Sequence, residues 1–136
     1  MSREIFALDT SFVIRFLTFD PHPLFLEAAA FYEETSAAGA RMTVSDLVLA
    51  EAYFALQQHY AFPKEAALQA LAAFSAKKGV ETSATARDLL AWPDLATANP
   101  GFVDRLIHGA SHSAGHVLVT FEKAASKLPR TRMLRG

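Results

Sequence analysis

The sequence predicts an α/β fold in which a parallel sheet is covered by helices on both faces. Three observations carry this. Short apolar runs alternate along the chain with segments of helical spacing. The helical segments are long enough to serve as the crossovers that parallel strands require. Of the 136 residues, 51% are apolar and 20% charged, a globular composition rather than a disordered one. The length suits one domain over residues 1–136, because two would each be too small to bury a comfortable core.

The first strand is read at Glu4–Leu8, an apolar run expected to be buried, with Asp9-Thr10-Ser11 at its carboxyl end. Ser11 to Phe19 has helical spacing, and Asp20-Pro21-His22-Pro23 breaks it. Leu24 to Ala38 is the next helix, with Gly39 placed to cap it. Arg41–Val44 is the second strand. Ser45 then caps a helix that runs to about Tyr60, with Asp46 in its first turn. Pro63 suits the first turn of a helix reaching about Ala76. Lys77-Lys78-Gly79 closes that helix, and Val80–Thr82 is a third strand. A short helix over Thr85–Leu90 is broken at Pro93, and Asn99-Pro100-Gly101 is a turn. Phe102 to Ala114 is helical and ends at Gly115. His116–Thr120 is the most strand-like run, rich in apolar and β-branched residues. Lys123–Lys127 reads as helical and Pro129–Leu134 as a last edge strand.

Composition removes several classes of function. There is no cysteine, which excludes disulfides, thiolate metal sites and a thiol nucleophile. The amino-terminal apolar stretch is stopped by Asp9 after four residues, so it makes a poor signal peptide. No apolar run approaches the roughly 20 residues that span a bilayer. These features predict a soluble, cytoplasmic protein with no membrane partner. The net charge of −1 conceals an asymmetry. Residues Gly101 to Gly136 hold six basic side chains (Arg105, Lys123, Lys127, Arg130, Arg132, Arg135) against Asp104 and Glu122, so this segment is +4 and the first hundred residues −5. A basic tail of this kind suits a phosphate backbone, and equally an ordinary solvated surface.

Ligands of parallel α/β sheets bind beyond the carboxyl ends of the strands. Asp9 and Glu122 are expected at that edge, while Asp46 and Glu51 follow the second strand. Several carboxylates in one pocket raise each other's pKa unless a cation compensates. Hard ions such as Mg²⁺ and Mn²⁺ prefer carboxylate oxygen and water. Such sites suit phosphodiester hydrolysis by a metal-activated water, with no side-chain nucleophile. Each acid also has a plainer reading. Asp9 can cap the next helix, Glu51 can stand at the rim of an apolar helix face, Asp104 can serve a helix dipole, and Glu122 can be a turn residue.

Four segments resemble, in order, the motifs of the PIN-domain family. Leu8-Asp9-Thr10-Ser11-Phe12-Val13-Ile14 is similar to its opening motif, an apolar strand followed by Asp-Thr-Asn/Ser. Val44-Ser45-Asp46-Leu47-Val48-Leu49-Ala50-Glu51 resembles the second, which ends in Glu. Phe102-Val103-Asp104-Arg105-Leu106-Ile107 resembles the third, and Leu118-Val119-Thr120-Phe121-Glu122-Lys123 the fourth, usually Val-Thr-x-Asp. The resemblance implies a three-layer α/β/α sandwich around a parallel β-sheet and Mg²⁺- or Mn²⁺-dependent cleavage of RNA. It implies Asp9, Glu51 and Asp104 as catalytic metal ligands, with Glu122 assisting. Ser11 and Thr120 would orient carboxylates or water. The small single-domain form resembles the VapC toxin ribonucleases of type II toxin–antitoxin pairs, which implies a homodimer and a cognate antitoxin. Glu122 departs from the usual Asp, and its extra methylene moves the carboxylate by roughly 1.5 Å. That change supports an alternative, a PIN-like module with weakened chemistry that binds RNA or a protein.

Arg15, Arg105 and Lys123 are candidate contacts for RNA or an antitoxin, against the plainer reading of surface cations. His108, His112 and His116 are spaced by four. The first two would share a helix face, a geometry that suits Zn²⁺ or Ni²⁺, and His108 is also placed to bond a ligand carboxylate. Phe12, Phe16, Phe19, Phe25 and Phe31 crowd the first third of the chain. Their helical spacing assigns most of them to a core or an interface rather than to base stacking. Trp92, before Pro93, reads as a loop anchor.

Overall fold

The structure, a computed structural model, describes residues 4–135. The stretch read for a signal peptide begins in residues 1–3, which lie outside the described residues. The chain forms two compact units, one ending at Ser83 and one beginning at Ala84.

The first unit runs β1 (Ile5–Ala7), α1 (Thr10–Thr18), α2 (His22–Ala37), β2 (Arg41–Thr43), α3 (Asp46–His59), α4 (Lys64–Ser75) and β3 (Val80–Glu81). Its three strands form a parallel sheet in the order β1-β2-β3. Phe6 pairs with Met42 and Met42 with Val80, so β2 is the central strand. Two helices lie between each pair of strands, as parallel pairing demands. The α/β class and the parallel strands expected from the alternation are therefore both present.

The core of this unit follows the apolar spacing. Met42 comes from the central strand and Val44 directly follows it, Leu49 and Leu56 come from α3, and Leu71 and Phe74 from α4; all are buried. Phe16 is the hub of an aromatic cluster, 5.3 Å from Phe74 and 5.7 Å from Tyr32 between ring centroids. Such offset and edge contacts add about 0.5–1.5 kcal/mol each beyond area burial. The phenylalanine-rich helices are thus largely occupied in packing, although Phe19 is exposed.

Two expectations need correction here. The strand read as buried is an edge strand, and Ile5 is 53% exposed. Only Phe6 turns inward from β1, against Phe31 at 5.3 Å. Helix α2 begins at His22, two residues before the expected start, because the breaker also initiates it. The Pro21 carbonyl accepts the Leu24 and Phe25 amides at 3.0 and 3.1 Å, and Pro23 sits in the first turn, where a missing N–H costs nothing. The other end matches the expectation. Gly39 has φ +75, its amide bonds Ser36 O, and the Ala40 amide bonds Thr35 O, the paired bonds that close a helix on a left-handed residue.

The second unit runs α5 (Ala84–Leu90), a 3-10 turn at Leu95–Thr97, α6 (Phe102–Ser113), β4 (Leu118–Thr120), a 3-10 turn at Ala125–Lys127, and β5 (Thr131–Met133). Strands β4 and β5 pair in parallel, with Val119 opposite Arg132. Its buried apolar side chains include Ala86, Leu95, Pro100, Phe102, Leu106 and Ala125. Helix α6 packs closely on α5 at Gly109, where an added Cβ would lie 2.3 Å from the Thr85 methyl.

The run His116–Thr120 shows where apolar, β-branched sequence misleads. Only Leu118–Thr120 is strand, and Val119 is 56% exposed. His116 cannot join the ladder through its amide, because that N–H is spent on Ser111 O in the cap that ends α6 at Gly115. No helix among the described residues is long and apolar enough to cross a membrane.

Candidate active site

The carboxyl edge of the three-stranded sheet is where the first unit gathers its polar side chains. Asp9 follows β1 and is the N-cap of α1. Its Oδ1 accepts the Phe12 amide at 3.0 Å and the Ser11 hydroxyl at 2.7 Å. The helix-cap reading of Asp9 is therefore correct as structure, and it does not exhaust the residue. Both bonds end on Oδ1, so the cap turns the carboxylate into one orientation. The Ser11 hydroxyl, then the Phe12 amide, stabilise the ionised form, and they hold the Asp9 carboxyl below its usual 3.8 against a small desolvation effect.

Glu51 reaches the same edge from α3. Ser45 caps that helix by accepting the Val48 amide at 3.2 Å, and Asp46 occupies its first turn. Glu51 lies one turn and a half further on and is exposed. Its Oε1 accepts the Thr10 hydroxyl at 2.9 Å. Consecutive hydroxyl residues, Thr10 and Ser11, thus hold two carboxylates that stand 42 positions apart in the chain. Thr10 did not emerge from the sequence as a site residue. The signal lay in the Thr-Ser pair directly after Asp9, two neutral donors at the start of a helix. Asp46 has a partner of its own, the Ser83 hydroxyl at 2.7 Å.

The second unit holds the other two acids. Asp104 lies in the first turn of α6 and Glu122 two residues beyond β4, and both are exposed. The Thr120 hydroxyl accepts the Glu122 amide at 2.9 Å, so Thr120 fixes the backbone at Glu122. Among the described residues no group of three or more His, Asp or Glu stands together in the arrangement of a metal site. What the first unit holds is a pair, Asp9 and Glu51. Its donors are hard, ionisable oxygens on exposed side chains, already oriented by neutral hydrogen bonds, and that donor set fits Mg²⁺ or Mn²⁺.

The remaining candidates are placed as follows. Arg15 lies one turn beyond Ser11, donates to Tyr60 Oη at 3.0 Å and lines, with Asp9, Ser11 and Phe12, an open groove of about 650 Å³. Arg105 donates through Nε to the Pro100 carbonyl at 2.7 Å and lies over the Trp92 ring at 5.0 Å. Lys123 is exposed. His108 and His112 stack at 5.4 Å between ring centroids. His108 Nε2 lies 2.8 Å from the Pro129 carbonyl, so that nitrogen carries a proton and donates to backbone rather than to a carboxylate.

The oriented carboxylates lie beyond the ends of parallel strands, the edge at which α/β sheets bind their ligands. A family model for the PIN domain matches residues 6–130, and the chain belongs to the PIN domain family. Its fold is accordingly of the α/β sandwich class built on parallel strands. PIN domains are generally nucleases and typically bind divalent metals. Neither the curated proteins nor the solved structures that were compared give a match.

Proposed function

We propose that this PIN domain is a metal-dependent endoribonuclease, and that it serves as the toxin of a type II toxin–antitoxin pair. The observation that carries the proposal is the Thr10–Ser11 hydroxyl pair, which orients Asp9 and Glu51 at one sheet edge before any ligand arrives. Neutral donors fix the direction of the two carboxylates without cancelling their charge, so the edge stays attractive to a cation. Asp9, Glu51 and Asp104 would hold the metal, with Glu122 assisting. A bound divalent cation supplies charge neutralisation at phosphate and lowers the pKa of water. The chain's own residues contribute orientation: Ser11 fixes Asp9, Thr10 fixes Glu51, and Thr120 fixes the backbone at Glu122. The basic residues between Lys123 and Arg135 suit the phosphate backbone of the substrate.

The toxin role and the homodimer rest on the VapC-like size and motif order. Purified protein incubated with total RNA and Mg²⁺ or Mn²⁺, without antitoxin, tests the reading. Cleavage that disappears in Asp9→Asn and on chelation is the expected result. RNA binding without cleavage under either ion would instead make the chain a PIN-like binding module, the outcome that Glu122 in place of Asp favours.

A further inference from the structure

We infer that Trp92 and Arg105 form a platform on which one unpaired RNA base stacks, an inference that rests on the ribonuclease reading. Trp92 is the only tryptophan of the chain, and it lies outside the core that Leu95, Phe102 and Leu106 build in its own unit. It is 37% exposed, a large apolar surface left open to solvent between α5 and α6. The Arg105 guanidinium lies over the ring, 5.0 Å from its centroid. Its Nε is anchored on the Pro100 carbonyl at 2.7 Å, which keeps the planar cation from swinging away. A guanidinium fixed over an indole is backed by the ring and is itself a stacking partner for a base.

The surrounding groove, lined by Asp88, Leu89, Ala91, Trp92, Pro93 and Arg105, decides which part of a nucleotide fits. Arg105 is the cation of this lining, and Asp88 is itself paired with Arg87, Nε to Oδ1 at 3.9 Å, so the groove offers stacking surface rather than a cluster of cations for phosphate. A flat, neutral base suits a guanidinium backed by an indole, because stacking needs no charge on the base. Single-stranded RNA presents such bases, and paired RNA does not. Arg105 also follows Asp104 directly in the first turn of α6. A base seated here is therefore held at the start of the helix that carries a proposed metal ligand. The loop-anchor reading accounts for the Arg105–Pro100 bond but not for an indole left open on a groove.

The single tryptophan makes the platform directly observable. The full-length Asp9→Asn protein, which leaves RNA uncut, is titrated with six-nucleotide homopolymers of U, C, A and G. Each titration is followed by Trp92 emission and, with end-labelled RNA, by anisotropy. Saturable quenching of Trp92 that tracks the anisotropy is expected. In a Trp92→Leu background affinity should fall on the order of 5- to 100-fold, with Trp92→Phe recovering most of it. Oligomers that bind by anisotropy but leave Trp92 emission unchanged, or a Trp92→Leu protein that melts normally and binds equally well, would remove the platform and leave the ribonuclease reading intact. Should Trp92→Leu not fold, the emission of the intact tryptophan decides alone. No binding of any oligomer, together with no cleavage by wild type, would remove both.

Discussion

The two compact units carry their acidic residues differently. In the first, Asp9 and Glu51 are wired: Ser11 and the Phe12 amide hold one, Thr10 the other, on helices seated by buried Leu49, Leu56 and Phe74. In the second, Asp104 and Glu122 are exposed, and the bonds at Glu122, from its amide to the Thr120 hydroxyl and from the Ser126 amide to its carbonyl, fix backbone rather than a carboxylate. The second unit also shows more of its apolar surface, with Val119 of β4 and the flanking Val117 and Phe121 exposed. A ligand pre-oriented by its own fold loses little freedom when it binds, whereas a free carboxylate loses side-chain entropy first. The first unit is accordingly the half whose disruption should cost most.

The largest expected effect sharpens that contrast. Outer partners of metal ligands typically cost 10- to 100-fold when removed, so loss of a ligand itself should exceed about 100-fold. Asp9→Asn should therefore reduce RNA cleavage by more than about 100-fold, and Glu122→Gln by less than about tenfold, measured as kcat/KM on one RNA. Equal losses would erase the distinction between the units. Thr10→Val keeps the shape of the side chain and removes the donor to Glu51. It should cost on the order of 10- to 100-fold in cleavage with little change in melting temperature.

Gly109→Ala probes the second unit from its packing. In an open helix this change is worth about 1 kcal/mol of stability. Here the new Cβ would sit 2.3 Å from the Thr85 methyl and 2.7 Å from its hydroxyl. Overpacking costs about 1–3 kcal/mol, so the net effect in a urea melt should be zero to destabilising. A clear gain would mean that α5 and α6 are not closely packed.

The smallest effect concerns pH. The folded pKa of Asp9 lies below 3.8, so the stability it contributes is present above that value and is lost as pH falls through the lowered one. Ser11→Ala removes the largest cause, and Asp9 should then titrate nearer 3.8, as followed by NMR of its carboxyl carbon. Asp9 stays ionised at neutral pH either way, so the variant's acid limb of activity should not move into the neutral range.

Much of this was legible in the sequence, for reasons that differ between elements. The parallel sheet of the first unit followed from alternation, and the caps at Ser45, Gly39 and Gly115 from side-chain and backbone chemistry that acts within a few residues. The roles of β1 and β4 were less legible. Whether Ile5 or Val119 is covered depends on neighbours distant in sequence, and apolarity alone cannot supply them. The 3-10 turn at Leu95–Thr97 carries no periodic signal, being three residues long. At the site, the motif acids were readable singly, while the bond from Thr10 to Glu51 joins two helices and has no local signature.

The central claim is that Asp9 and Glu51, oriented by adjacent hydroxyls, capture a divalent cation. Calorimetric titration of Mn²⁺ into the full-length protein, compared with Asp9→Asn, tests it most directly. Saturable binding by wild type, weakened by more than about 100-fold in the variant, is the expected result. Identical isotherms for the two proteins would contradict it.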